Sequence, residues 1–273
     1  TNKNAVKYAT AGTPKKFWSV WKEQDDEWLQ TRLKALVPDR MPTEQDRNIV
    51  SLFSPERVYE LIRYFILFDA NVKKVCRYQQ FFAVREIMKT IAESDEHGNR
   101  RSGVIWHTQG SGKSLTMVML AKYILMELKD CHPRVVIVTD RKELDAQIAA
   151  TFAHTRLTPA RATSGRHLVE LVNSARADVI TSIINKFNTV ERQEVKNPSR
   201  DIFLLVDESH RSNYGLMATR MRSVFPNACY IGFTGTPLMK SEKNTMARFG
   251  RLIHKYTIRD GVEDGAIVPL IYE

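Results

Sequence analysis

The chain has 273 residues, 43% hydrophobic and 26% charged, which is the composition of a globular protein and excludes a disordered or fibrous one. Its 41 Lys and Arg against 31 Asp and Glu leave a formal charge of +10, a balance that favours a polyanionic partner. No apolar run is long enough to span a bilayer. The three cysteines (Cys76, Cys131 and Cys229) are widely spaced and odd in number, so they offer no disulfide framework or zinc pattern and point to a reducing cytoplasmic setting.

The opening Thr1-Asn2-Lys3-Asn4 carries neither Met nor an apolar h-region and reads as an interior starting point, not a signal peptide. Residues 1–72 read as a helical extension. Phe17, Trp18, Trp21, Trp28, Leu29, Leu33 and Leu36 recur at helical spacing as one stripe, expected to pack into a core. After the breaker cluster 38–42, a better helix signal starts with Ser54 as cap and Pro55 in the first position. Val58, Leu61, Ile62, Phe65 and Phe68 form its apolar face.

From about residue 73 short apolar, β-rich runs alternate with helical patterns, and strands are expected at 103–107, 134–139, 177–182, 202–207 and 228–234. The runs at 135–138 and 202–206 are continuously apolar, as strands buried on both faces are. The expected fold is therefore α/β, a parallel sheet sandwiched by helices, over 73–250. The helix after Lys113 is apolar round most of its circumference, which suits a packed crossover. Polar loops are expected at 94–102 and 192–200. The tail 251–273 carries a helical turn and an apolar run at 267–272, and reads as a lead-out toward a further domain.

Gln109-Gly110-Ser111-Gly112-Lys113-Ser114 lies between an expected strand and an expected helix. The glycines let successive N–H groups turn inward as an anion nest, and the helix N-terminus adds partial positive charge. Lys113 can then reach the β and γ phosphates of ATP, and the Ser114 hydroxyl can ligate Mg²⁺. The full phosphate-loop pattern has a further glycine where this chain has His107.

Leu204-Leu205-Val206-Asp207-Glu208-Ser209-His210 sets two carboxylates at the carboxyl end of a buried strand, the end where open α/β sheets bind ligands. Asp207 can hold Mg²⁺ through water and Glu208 can orient and deprotonate the attacking water. Thr234-Gly235-Thr236-Pro237 follows another apolar strand. Its hydroxyls can hydrogen-bond to the Asp-Glu-x-His segment or to phosphate-bound water, although alone it reads equally as a turn.

In this order the motifs resemble the first RecA-like domain of superfamily 2 helicases and translocases. Asp207–His210 stands at that superfamily's Asp-Glu-x-His box and Thr234–Pro237 at its coupling motif III. Tyr78-Gln79-Gln80-Phe81-Phe82 resembles its glutamine motif, which implies adenine reading by Gln79, or less securely Gln80. The stretches 77–84, 103–114 and 207–212, with Arg141–Gln147 as motif Ia, are similar to the motor subunit of Type I restriction–modification enzymes.

That resemblance implies an ATP-dependent double-stranded DNA translocase segment acting in DNA restriction, with methyltransferase and specificity subunits as partners and a cytoplasmic location. It implies a nuclease domain before this segment and a second motor lobe after it, whose arginine completes the ATP site. The chain by itself is then expected to hydrolyse ATP poorly. His210, Thr234 and Thr236 would relay nucleotide state, while Arg141, Lys142, Thr181, Ser182 and Lys186 would grip DNA phosphates, since a motor must move over any sequence. Glu194 and Lys196 with Asp178 have a superficially nuclease-like spacing, but 191–200 lacks the apolar residues of a core strand. Two rivals stay open: another superfamily 2 DNA or RNA helicase, and a docking module that binds nucleotide without hydrolysing it.

Overall fold

The computed structural model describes residues 6–69, 72–140, 142–152, 157, 159–174, 177–187, 196–207, 214–235 and 249–267, with backbone alone at 142–144 and 214–217. The chain forms two compact units, Thr1–Phe82 and Ala83–Glu273. The expected boundary at 72/73 thus falls ten residues ahead of the observed division.

In the first unit β1 (Lys7–Tyr8) pairs antiparallel with β2 (Ser19–Val20). Helices α1 (Asp26–Leu36), α2 (Glu44–Phe53) and α3 (Pro55–Tyr64) follow. Local chemistry sets the starts of the first two. The Asp25 side chain accepts from the Trp28 amide, and Thr43 and Asp46 form a reciprocal capping box. Pro55 occupies the first turn of α3 as expected, but the Ser54 hydroxyl makes no capping bond.

The expected aromatic stripe does not form as one face. Lys15–Phe17 is a single 3₁₀ turn and Ser19–Val20 is a strand, which breaks the helical period. Trp21, Leu29 and Leu33 are buried, whereas Phe17, Trp18 and Leu36 are exposed. Nor does α3 reach Phe68. Phe65 closes the helix with its N–H on Leu61 O and is fully buried. The chain then turns into β3 (Ile66–Asp69), paired antiparallel with β4 (Val72–Val75), which leaves Phe68 exposed. The inward face of α3 is Arg57, Leu61 and Tyr64, with Ile62 exposed.

Helix α4 (Tyr78–Ala92) spans the division. The second unit is built on β5 (Gly103–His107), β6 (Arg134–Thr139), β7 (Ala160–Arg161), β8 (Val179–Ile183), β9 (Ile202–Val206), β10 (Cys229–Thr234) and β11 (Arg251–Tyr256). Among the described residues these make a seven-stranded sheet in the order β11-β5-β10-β9-β6-β8-β7, every pair parallel. Helices α5 (Lys113–Glu127), α6 (Lys142–Phe152), α7 (Gly165–Asn173), α8 (Tyr214–Val224) and α9 (Ile258–Glu263) accompany it.

The runs read as doubly buried strands are so: Val135–Val138 and Phe203–Val206 are inaccessible to solvent. Val104, Val136, Val138, Leu204 and Val206 face α7 and α8 through Leu168, Val172, Met221 and Val224. The pleat sends the alternate residues to the opposite face. The strand expected at 177–182 begins two residues later, at Val179, and the exposed Asp178 side chain pairs with Arg134. That pairing gives Asp178 a structural role. Glu194 lies outside the described residues and Lys196 is exposed.

The boundary expected at 250 cuts off part of the sheet. Arg251–Tyr256 is its edge strand, paired with β5, and α9 is the helical turn expected in the tail. This strand was not legible because its polar residues Arg251, His254 and Lys255 hide the apolar pattern of an edge covered on one side only.

Candidate nucleotide site

All seven strands run the same way, so their carboxyl ends share one rim. β5 feeds the loop Thr108–Gly112, and α5 starts at Lys113. The loop needs two left-handed residues, and glycine supplies both: φ is +80° at Gly110 and +88° at Gly112, the N-cap of α5. The Ser111 amide donates to Thr108 O at 3.2 Å, while the Thr116 amide and hydroxyl both donate to Gly112 O at 3.1 Å. These bonds fix the loop at its base. Gln109 and Gly110 are exposed, Ser114 is half-buried, and a Cβ on Gly110 would meet nothing within 4 Å. Ser111 Oγ is buried with no hydrogen-bond partner among the described residues.

Lys113 is buried along its length. Its Nζ lies 3.0 Å from where a Cβ on Gly235 would stand, a position also 3.4 Å from the Gln109 amide nitrogen and 3.7 Å from His107 O. The start of the Thr-Gly-Thr-Pro segment therefore crosses directly over the phosphate loop. A larger residue at 235 would press first on the Lys113 side chain. Thr234 opposes Trp106 across the β10–β5 ladder and is fully buried.

Asp207 extends β9 by one residue, its amide donating to Val138 O at 2.9 Å, and its side chain is buried. Only β10 separates β5 from β9, so at the usual strand spacing their ends stand about 10 Å apart. The sheet thus brings Lys113, Ser114, Thr234 and Asp207 to one rim. Glu208, His210 and Thr236 lie outside the described residues. Among the described residues no group of three or more metal-ligating side chains occurs. Mg²⁺ keeps several waters and takes one or two protein oxygens beside phosphate. Ser114 and Asp207 supply oxygens of that kind.

Of the two glutamines, Gln80 is committed to its own helix: its Oε1 accepts from the Arg77 amide at 2.8 Å at the start of α4. Gln79 is buried and its Nε2 has no hydrogen-bond partner among the described residues. The two side chains thus differ: the Gln80 oxygen is engaged at the start of α4, and the Gln79 amide nitrogen has no partner among the described residues.

The residues expected to grip DNA divide. Thr181 and Ser182 are interior residues of β8, 0% and 1% exposed, so this fold does not present them to a phosphate backbone. The inward alternation of a doubly covered strand overrides their polarity. Lys186 is half-buried and its Nζ donates to Thr163 O. Arg141 and the side chain of Lys142 lie outside the described residues.

Sequence reasoning missed a buried pair at the foot of the loop. His107 Nε2 lies 2.9 Å from His254 Nδ1, and Tyr256 stacks edge-on at 5.9 Å. Burial holds both imidazoles below the usual histidine range, His254 at about 4, and at His107 the neighbouring His254 and Lys113 add to the effect. The departure from the glycine pattern at His107 was the available signal. Its partner, 147 positions away, was not.

No helix among the described residues is long and apolar enough to cross a membrane, and the cysteines are free thiols. A family model described as SWI2/SNF2 ATPase matches residues 79–273. The chain is 35% identical to the type I restriction enzyme HindI endonuclease subunit of Haemophilus influenzae, over 94% of this chain and 26% of that protein. It is 32% identical to a type I restriction enzyme endonuclease subunit of Staphylococcus saprophyticus, over 76% of this chain and 23% of that protein. The chain thus spans about a quarter of the length of the curated relatives it matches. Among solved structures, the UvsW helicase of bacteriophage T4 shares the RecA-like fold with a TM-score of 0.53 at 19% identity, over 74% of this chain and 67% of that one.

Proposed function

The chain belongs to the SWI2/SNF2 ATPase family, and from that premise we propose that it is the first motor domain of a type I restriction endonuclease subunit, driving translocation along double-stranded DNA by ATP hydrolysis. One observation carries the reading. Buried Lys113 reaches across the strand ends to Gly235, with Asp207 on the next strand of the same rim. A cation and a carboxylate so spaced suit the two sides of a triphosphate.

In this reading the Gly110–Gly112 amides and Lys113 bind the β and γ phosphates, and Gln79 reads adenine. Ser114 and Asp207 hold Mg²⁺, which when bound neutralises charge developing on the phosphates. Glu208 orients the attacking water and accepts its proton. His210, Thr234 and Thr236 pass the nucleotide state onward. Arg141, Lys142 and Lys186 grip DNA phosphates, and the charge of +10 suits such a partner. Residues 1–72 would be the extension following a nuclease domain, and 257–273 would lead toward the second motor lobe that supplies the completing arginine. Methyltransferase and specificity subunits would complete the complex.

In the full-length subunit Lys113→Ala should lower ATP hydrolysis and DNA translocation at least about a hundredfold, the scale of removing one preorganised charged donor, with an unchanged circular dichroism spectrum. Near-normal turnover by this variant would overturn the site. The 273-residue chain alone should hydrolyse ATP poorly even with duplex DNA added.

A further inference from the structure

His107 stands where the full phosphate-loop pattern has its first glycine, and no role above employs it. The ring is fully buried at the end of β5, hydrogen-bonded through Nε2 to His254 Nδ1 on β11. The next residue repeats the attachment through the backbone, since the Thr108 amide donates to Tyr256 O at 2.9 Å. The last strand residue and the first loop residue are therefore both tied to one edge strand.

A local irregularity in β11 makes this possible. Its pairing with β5 slips by one residue between Leu252 and His254, so that His254 opposes Ile105 and Tyr256 opposes His107. Unshifted register would instead set Ile253 and Lys255 opposite those positions. A one-residue slip exchanges the two faces of a strand, and bulges are the usual device for re-aiming a side chain. Here the slip sends His254 and Tyr256 inward and leaves Lys255 exposed. The strand is also seated closely at both ends. A Cβ on Gly103 would lie 2.5 Å from the Ile253 side chain, one on Gly250 would lie 2.5 Å from Ser102 O, and Tyr256 Oη donates to Asp264 at 2.8 Å.

We propose that His254 is a positioning residue of the phosphate loop: together with the Tyr256 carbonyl it fixes the entry into Gln109–Lys113, so that a displacement of β11 displaces the phosphate-binding amides. The strand is thus a lever between the loop and the chain segment beyond Tyr256. The inference rests on the nucleotide reading above and goes beyond it by assigning a role to the edge strand.

The test compares ATP hydrolysis by the full-length wild type, His254→Leu and His254→Asn, whose amide stands where Nδ1 stands. A misplaced loop costs turnover more than binding. His254→Leu should therefore lose kcat on the order of ten- to a hundredfold, while KM for ATP moves less than about threefold. His254→Asn should recover to within about threefold of wild type. A folded His254→Leu with wild-type kcat, or a folded His254→Asn as poor as it, overturns the proposal. Hydrogen exchange of the wild type decides the matter should the leucine variant fail to fold. A non-hydrolysable ATP analogue should slow the amides of 251–256 together with those of 108–116, and protection of the loop alone overturns the proposal. A wild type that neither binds nor hydrolyses ATP sinks the nucleotide reading itself, a separate result from either of these.

Discussion

Around Arg57 the first unit gathers aromatic rings on a buried cation, whereas β5, β6, β9 and β10 of the second unit are filled with apolar side chains and keep their chargeable residues at the strand ends. The Arg57 guanidinium lies 4.5 Å from the Phe81 ring, 4.8 Å from Trp28, 5.3 Å from Phe82 and 5.4 Å from Trp21. Glu23, equally buried, pairs with it at 3.2 Å and also accepts from Trp21 Nε1 and from the amides of Gln24 and Asp25. Burying a charge demands several partners at once, here drawn from separated parts of the chain. The first unit thus builds a buried ion pair into its apolar core. In β5, β6, β9 and β10 apolar contacts fill the interior and polar groups stand at the strand ends.

The sharpest way to break that contrast is Arg57→Ala. It should destabilise the first unit by about 3–5 kcal/mol, because Glu23 stays behind as a buried charge without its cation. Urea unfolding would show this as a lowered midpoint. A loss below about 1 kcal/mol would mean that the rings, not the ion pair, hold the unit together.

At the rim of the second unit, Gly235→Ala tests function in place of stability. Its Cβ would stand 3.0 Å from Lys113 Nζ, so the lysine must give way by a few tenths of an ångström. ATP turnover should fall roughly tenfold, equal to about 1.4 kcal/mol, with an unchanged melting temperature. Unaltered turnover would show that Lys113 acts from another position.

The smallest effect concerns pH. His107 and His254 are held neutral in the fold, with Lys113 facing the first and Glu86 and Asp260 facing the second. Unfolded histidines take up protons near pH 6.5. Their contribution to stability is therefore complete above about pH 6.5 and declines as the pH falls toward 4, where His254 itself protonates in the fold. Unfolding free energies measured at several pH values over that range should show a shallower slope in His254→Asn than in the wild type. A steeper slope would reverse the assignment.

How much could be read beforehand depended on how locally each feature is encoded. The glycine loop after β5, the apolar strands and the acid at the end of β9 were legible because glycine conformation, hydrophobic runs and strand-end chemistry are written in adjacent residues. The aromatic stripe between Phe17 and Leu36 was misread because spacing alone does not reveal that a 3₁₀ turn and a short strand interrupt it. Thr181 and Ser182 look like surface residues by chemistry, yet the sheet covers them on both sides.

The sequence by itself determined the α/β class and the order of the motifs, and it singled out Lys113, Ser114 and Asp207 as the residues proposed to bind phosphate and magnesium. Only the tertiary structure decided that Arg251–Tyr256 joins β5, that a slip in its register turns His254 toward His107, and that Gly235 lies over Lys113. The physical reason is range: parallel pairing and side-chain approach between residues more than a hundred positions apart depend on how the strands order themselves in the sheet, which no local pattern records.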